Sequence, residues 1–575
     1  MPQVSAENCV LGLCFMPLDG NGQKFFGFSE FLAGLALMVL AWTIADVRYR
    51  FRVRTAPIPL LGTTFTVVAI VGALTLLTDL WRANQWPVPK GNILTPASWQ
   101  ALLGGLFLLT FLTWAWFAFI RPPVYGRRNA ERFAQTLYRL VLRGSPEELA
   151  VIADEITPSA VELVRKATDR GEFKNYGVRP DDEKRREPPK VEAYANDLLL
   201  LIADKRLCRA IVKSSPGTAL SIFQTMRDTQ KYGIQIETFA RNLITEALLN
   251  RDSFIFHETE GYESGLIGYH KPLSQAIFSN YQMVETIGTV LDPDVLGQTK
   301  WDAAQWEAYC RVVLVTFADY AGKQFWNHSF VLYRAKGYIE RAASDVYKLN
   351  GATNISWDDD VLARLRVSVK FVKDAVEILD KKEVPKHLRL RIRKKTNEHV
   401  REDFYDHLAA MTFELVFAAS AVTSPNDQCW WVQHNTVWSE LFNFNRLDGL
   451  AGKVVKFKAR RLLYNEIADM RRFANFKGAR ILAFCLNVMG LAPNKGDYDK
   501  DSRALQKAIL AWTKKNYVWL HAYNPRVAAA CLADGITYDS QNQRLVKTYP
   551  IDGLRRAASH IYFNLNPSDA PTPDA

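Results

Sequence analysis

The sequence predicts an all-α protein, with a three-helix N-terminal transmembrane anchor followed by a large, irregular α-helical cytosolic domain. The first 121 of the 575 residues hold only eight Lys or Arg and five Asp or Glu, whereas the whole chain holds 72 and 60. Three apolar stretches in this part have about 20 residues each, the length that spans a bilayer. Helix start signals and amphipathic runs dominate the remainder, and alternating strand patterns are few.

The predicted spans cover residues 25–45, 58–78 and 99–120, and residues 1–24 form an extracytoplasmic segment. Glu30 is the one charged residue within these spans, and it lies near an outer end. Arginines concentrate in the loop after the first span and in the segment after the third. Because loops rich in Lys and Arg face the cytoplasm, we expect an integral protein of the cell or inner membrane, with its N-terminus outside and its main domain cytoplasmic. Contact with the anionic membrane surface is assigned to Arg48, Arg50, Arg52, Arg54, Arg127 and Arg128.

Small residues form a stripe on the second span. Gly62, Thr66, Ala69 and Ala73 follow one another at steps of four, three and four, which places them on one helical face. Such a face lets another helix approach closely. The stripe can serve packing within one subunit, which is the commoner case, or packing between the subunits of a homo-oligomer.

The seven cysteines fit this placement. Cys9 and Cys14 lie in the outside segment, where they can form a disulfide or remain as two free thiols. The other five are far apart in the chain, and none belongs to a Cys-x-x-Cys pair. A zinc knuckle or a thioredoxin-type redox site therefore has no support in the sequence.

Beyond the spans, residues 122–170 are predicted to form a juxtamembrane helical connector. Ser145 and Glu148 make a capping box, and the dipeptides Thr157-Pro158 and Ser215-Pro216 carry the Ser/Thr-Pro pattern of a helix start. Residues 171–192 are charged and rich in proline, which is typical of a linker. The main cytosolic domain is predicted over 193–566, with a disordered tail at 567–575.

One segment has the composition of a catalytic loop. Residues 250–285 include His257, Glu258, Glu260 and His270, together with several glycines and tyrosines. Histidine can bind a metal and glutamate can act as a general base, as metal hydrolases require. The His-Glu-x-x-His motif is absent, however, and loops between helices commonly hold such groups in ordinary hydrogen bonds.

A second cluster comprises His399, Asp403 and His407, each four residues from the next. On one helical face these side chains could share a divalent ion, but a solvated polar stripe is the favoured interpretation. The preceding run 386–395 has six Lys or Arg and could contact anionic headgroups or nucleic acid. Nucleic acid is not expected as a partner, because no recognisable nucleic-acid module is present, and no cofactor is predicted.

These patterns lead to two hypotheses of function. The first is a membrane-anchored interaction or sensing protein, whose cytosolic domain binds an unknown protein or ligand and couples to the membrane helices; one version is a membrane-disrupting, defence-type effector. The alternative is a membrane-tethered enzyme, such as a metal-dependent hydrolase, with its site in 250–285. A phosphate-binding P-loop, a Gly-x-Ser-x-Gly elbow, a dinucleotide fingerprint and a kinase signature are all missing from the sequence. The balance therefore leans away from an enzyme.

Overall fold

The computed structural model describes most of the chain, and its helices greatly outnumber its strands, in agreement with the predicted fold class. The described residues are 8–10, 13–18, 24–44, 46–89, 95–169, 189–259, 271–294, 301–323, 328–382, 402–443, 446–492, 502–549 and 557–566. They divide into two compact units, Met1–Leu243 and Ile244–Ala575. The predicted linker at 171–192, by contrast, lies almost wholly outside the described residues, as do the run 386–395 and the tail.

The apolar part of the first unit forms four helices. These are α1 (Phe28–Ile44), α2 (Val47–Thr55), α3 (Leu60–Ala83) and α4 (Pro96–Ala115), the last continued by a π-helical turn over Trp116–Ile120. Among the described residues, only α3 and α4 with its extension are each long and apolar enough to cross a membrane.

Two of the three predicted spans therefore correspond to helices that are long and apolar enough to cross a membrane. The 17 residues of α1 extend only about 26 Å, which is less than the ~30 Å of a hydrocarbon core. The chain then bends by 108° into α2, so a third span exists only if this bent pair is counted as one. Asp46 explains where α2 begins, because its carboxylate accepts a hydrogen bond from the Val47 amide at 2.6 Å.

Glycines and phenylalanines hold the membrane helices together. A Cβ atom at Gly34 would lie 2.7 Å from the Phe107 ring, and one at Gly72 would lie 2.7 Å from Phe31. Phe31 belongs to a small core with Met38, Val68, Val71 and Leu103. In the most apolar stretch of each helix, only 33% of the residues of α3 and 17% of those of α4 are buried. Most apolar side chains of these helices therefore point outward.

A helical layer follows the membrane helices within the first unit. It consists of α5 (Ala130–Arg143), α6 (Pro146–Lys166), α7 (Lys190–Leu201), α8 (Lys205–Ser214) and α9 (Pro216–Thr229). The predicted capping box is confirmed, because Ser145 and Glu148 exchange hydrogen bonds at the start of α6. The helix start at Pro216 is also correct, but the start at Pro158 is wrong: α6 runs through that residue and packs against α7, α8 and α9.

The boundary between the two units falls within α10 (Glu237–Leu249). The second unit continues with α11 (Phe254–Thr259), α12 (Pro272–Phe278), α13 (Tyr281–Ile287), α14 (Ala303–Gly322), α15 (Phe330–Ala342), α16 (Asp360–Lys381), α17 (Phe404–Ala419), α18 (Asn426–Trp430, with a π-helix over Trp431–Trp438 and a last turn at Ser439–Leu441), α19 (Leu450–Asp469), α20 (Phe476–Met489), α21 (Arg503–Tyr523) and α22 (Pro525–Ala530).

Two small antiparallel sheets interrupt this helical architecture. The first pairs β1 (Asn8–Val10), β2 (Leu13–Pro17) and β3 (Pro87–Pro89), and its register sets Cys9 opposite Cys14. The second pairs β4 (Ile536–Asp539), β5 (Arg544–Tyr549) and β6 (Ser559–Asn564). The C-terminal sheet departs from the predicted all-helical domain, although the polar turn before β5 is an ordinary hairpin signal.

Candidate functional site

One cleft of the second unit lies among α14, α15, α16 and α17. It encloses a cavity of about 60 Å³. Its floor is apolar, with Phe317, Phe371 and Leu408 among its lining residues, and its polar rim includes His407 and Lys336. Typical pockets for small molecules measure about 300–1,000 Å³, so this cavity has room only for an anchoring group of a few atoms, held by an apolar floor and a few polar groups at the rim.

His407 is the central polar group of this rim. Its ring lies 5.8 Å from that of His328 and 5.4 Å from that of Tyr333, and its Nδ1 atom is 3.6 Å from a carboxylate oxygen of Glu402. Burial lowers the pKa of His407 to about 4, and the positive charge of Lys336 acts in the same direction. The imidazole is therefore neutral at physiological pH and can donate one hydrogen bond and accept another.

Asp403 has a structural partner set of its own. It caps α17, because its carboxylate accepts a hydrogen bond from the Asp406 amide at 2.9 Å. In the other direction, the Asp406 carboxylate accepts a hydrogen bond from the Asp403 amide at 3.2 Å. The ammonium of Lys458, only 4% exposed, lies 2.5 Å from Asp406 and 3.6 Å from Asp403. Burial and the neighbouring Asp406 charge raise the pKa of Asp403 to about 6.

Only part of the predicted metal cluster lies among the residues that the structure describes. His399 lies outside the described residues, whereas Asp403 is engaged in capping and His407 faces the cleft. Across the described ranges, no group of three His, Cys, Asp or Glu side chains is placed to bind a metal ion. What the structure brings together at His407 is a neutral imidazole beside Tyr333 and Lys336, over an apolar floor.

The described candidates of the segment 250–285, His257 and Glu258, are not arranged as a catalytic pair. Glu258 accepts backbone hydrogen bonds from Leu273 at 3.3 Å and from Ser274 at 2.6 Å, so its carboxylate holds the start of α12. His257 is exposed on α11. Glu260 and His270 lie outside the described residues, and the hydrolase hypothesis therefore remains a prediction that no observed geometry supports.

A buried ion pair joins the membrane helices to the helical layer of the first unit. Arg52 of α2 donates two hydrogen bonds to Glu155 of α6, each of 2.7 Å. The side chains are 13% and 3% exposed. The hydrogen bond to Glu155 is the main cause that raises the pKa of Arg52. The same guanidinium donates to the carbonyl of Ala118 at 3.2 Å, in the turn that extends α4.

Neighbouring bonds reinforce this junction. Arg48 lies 3.1 Å from Asp154 and 3.3 Å from Glu155. Asn129 donates to the carbonyl of Thr55 at 2.7 Å, and Arg132 donates to that of Pro57 at the same distance. These bonds attach the short basic helix α2 to the helical layer that follows it.

The sequence argument did not separate the arginines of α2. They alternate with other residues, so on a helix Arg48 and Arg52 share one face while Arg50 and Arg54 share the opposite one. The first pair meets the acidic residues of α6, and the second pair is exposed. The signal was present as the two consecutive acidic residues at 154–155, but only the tertiary structure shows that they approach α2.

The small-residue stripe faces outward from the described helices. Gly62, Thr66, Ala69 and Ala73 are all exposed, and a Cβ atom at Gly62 would have no neighbour within 4 Å. Packing inside the bundle uses the other face of α3, through Gly72 and its neighbours. The stripe is thus exposed in the described structure and takes no part in packing within this bundle.

The cysteines of the second unit and of α8 are structural. Cys208, Cys310, Cys429, Cys485 and Cys531 are buried and free. Burial raises the pKa of the Cys429 thiol to about 12 and displaces the pKa of Cys310 in the same direction, so neither is a thiolate at neutral pH.

A buried lysine that the sequence analysis overlooked joins the C-terminal sheet to α20. Lys547 of β5 donates to the carbonyl of Asn487 at 2.7 Å. Burial lowers the pKa of Lys547 to about 8. Asn487 in turn donates to Gln433 at 3.1 Å. These bonds satisfy the polar groups of Lys547 and Asn487, which gives them a structural role.

Comparison of the chain with protein-family models, with curated proteins and with solved structures found no match. The argument for function therefore depends on the geometry of the chain itself.

Proposed function

We propose that this chain is an integral membrane protein whose cytoplasmic helical body binds a protein or ligand and is coupled to its membrane helices through α2. The observation that carries the proposal is the outward-facing apolar surface of α3 and α4. Both helices are long enough to cross a bilayer, and most of their apolar side chains are exposed. Contiguous apolar surface of this extent needs lipid to cover it.

The proposed orientation places the N-terminus outside and the helical body in the cytoplasm. It is supported by the arginines of α2 and of the segment before α5, since basic loops face the cytoplasm. A reporter fused after residue 24 should be active only outside, and one fused after residue 140 only in the cytoplasm. The reverse activities would overturn the orientation, and release of the protein from membranes by alkaline carbonate would overturn insertion itself.

The proposed coupling uses the ion pair between Arg52 and Glu155. A paired buried charge strongly resists separation, because either partner left alone would be buried without compensation. A displacement of α6 should therefore move α2, and with it the turn of α4 whose Ala118 carbonyl accepts from Arg52. The His407 cleft is the proposed ligand site, because it combines an apolar floor with neutral and charged polar groups.

The effector version of this proposal makes a stronger demand, namely that the membrane helices assemble and permeabilise the bilayer. The exposed stripe from Gly62 to Ala73 supports close approach of a second copy. Expression of the full chain should then depolarise the host membrane, as followed with a voltage-sensitive dye. Gly62→Leu combined with Ala69→Leu should abolish depolarisation and weaken crosslinked oligomers, whereas persistence of both would refute the effector version.

A further inference from the structure

A small pocket lies where the ends of the membrane helices meet α2. Its volume is about 170 Å³, and its lining includes Trp42 of α1, Trp114 of α4, and Tyr49, Arg50 and Arg54 of α2. Trp42 and Trp114 each lie near the end of an apolar helix that leads into the basic segments, so the pocket sits at the proposed cytoplasmic boundary of the membrane. Tryptophan and tyrosine are enriched at this depth.

The pocket presents two unneutralised positive charges. Arg50 and Arg54 are one helical turn apart and exposed, and in the described parts of the chain neither takes part in an ion pair. Arg48 and Arg52, on the opposite face of the same helix, are the arginines that meet Asp154 and Glu155. Folding thus neutralises one half of the basic helix and leaves the other half directed to this pocket.

An unused hydrogen-bond donor adds to the charge. The indole N–H of Trp42 is buried and has no hydrogen-bond partner in the described part of the structure. A buried donor without an acceptor is costly, and an oxygen-bearing ligand would remove that cost. Since a water molecule takes about 30 Å³ of liquid, the pocket has room for a group of about five heavy atoms, which is the size of a phosphate.

We propose that this pocket binds the phosphate group of an anionic phospholipid of the cytoplasmic leaflet. The inference rests on the proposed membrane insertion, and it adds a specific ligand to it. Guanidinium groups recognise phosphate oxygens through charge-assisted hydrogen bonds. A lipid is favoured as the source because the exposed apolar face of α3 beside the pocket, which begins with Leu61 and Phe65, would pack against the acyl chains, whereas a free phosphate would leave this face uncovered.

The test measures lipid binding to the full chain in neutral-detergent micelles by native mass spectrometry. Phosphatidylglycerol should bind as a discrete adduct in preference to phosphatidylcholine of the same acyl chains. A hydrogen bond to a charged group contributes roughly a twelve-fold gain in affinity or more, so Arg50→Gln combined with Arg54→Gln should weaken phosphatidylglycerol binding about a hundred-fold. The matched control is Arg139→Gln with Arg143→Gln on α5, which removes two exposed arginines at the same helical spacing outside the pocket.

The outcomes separate the alternatives. Unchanged binding in the control variant supports a discrete site, whereas equal losses in both double variants would show general attraction to a basic surface and overturn it. Displacement of phosphatidylglycerol by micromolar inorganic phosphate would overturn the assignment to lipid. Carbonate extraction of the same variants tests insertion separately: a protein that stays in the membrane but shows no lipid preference refutes this site while leaving the proposed function intact.

Discussion

Arg52 and Glu155 should depend strongly on each other in the folded protein, because each is the buried counterion of the other. We consider Arg52→Leu, Glu155→Leu and the double variant, each in the full chain. Breaking a buried pair by removing one partner costs about 3–5 kcal/mol, because the remaining charge stays buried without its counterion. Replacing both partners with apolar residues should cost much less, since no charge is then left without compensation.

The surroundings place the expected cost of each single replacement near 3 kcal/mol, the lower end of that range. Without Arg52, Glu155 keeps Arg48 at 3.3 Å. Without Glu155, Arg52 keeps the carbonyl of Ala118 at 3.2 Å. The two single costs should therefore add up to well above the cost of the double variant, which gives a large interaction energy in a double-mutant cycle.

The assay is denaturant unfolding of the full chain in mixed micelles, followed by circular dichroism. Arg50→Leu is the matched control, because it removes the same side chain from an exposed position of the same helix, and its effect should stay within about 0.5 kcal/mol. High salt should change the interaction energy little, since buried charges are poorly screened. An Arg52→Leu cost no larger than that of Arg50→Leu, or strictly additive single effects, would refute the coupling role of α2.

Three further predictions concern other parts of the chain. His407 has a folded pKa of about 4 against an ordinary 6.5, so its contribution to stability is complete above pH 6.5 and is lost as the pH falls toward 4. Relative to His407→Gln, the free energy of unfolding of the wild-type protein should thus drop by about 3 kcal/mol over that range. Asp403 contributes in the opposite direction in both proteins, so its effect cancels in the comparison. Parallel pH profiles of the two proteins would contradict the prediction. Gly72→Ala should destabilise the bundle, because its Cβ would meet the Phe31 ring at 2.7 Å, whereas Gly62→Ala has open space and should be neutral in thermal unfolding; equal effects would show that α3 is packed differently. The paired register of Cys9 and Cys14 gives the short separation a disulfide needs, so non-reducing peptide mapping of the full chain should recover a linked peptide, and two alkylated thiols would refute it.

Local patterns determined a good part of this protein. Length and apolarity identified α3 and α4, because a bilayer imposes one length on every helix that crosses it. The capping box of Ser145 and Glu148 located the start of α6, since its hydrogen bonds join residues only three positions apart. The same local logic failed at Pro158, where contacts with three other helices stabilise a continuous α6.

Only the tertiary structure decided which residues distant in the sequence come into contact. The sequence treated the four arginines of α2 as one basic surface, and only the approach of Glu155, 103 residues away from Arg52, divides them into a pair bound to α6 and an exposed pair. The sequence likewise did not decide whether the stripe from Gly62 to Ala73 packs inside the subunit or against another molecule. Helical spacing identifies a face but says nothing about its neighbour, because that neighbour is chosen by the packing of all the helices together.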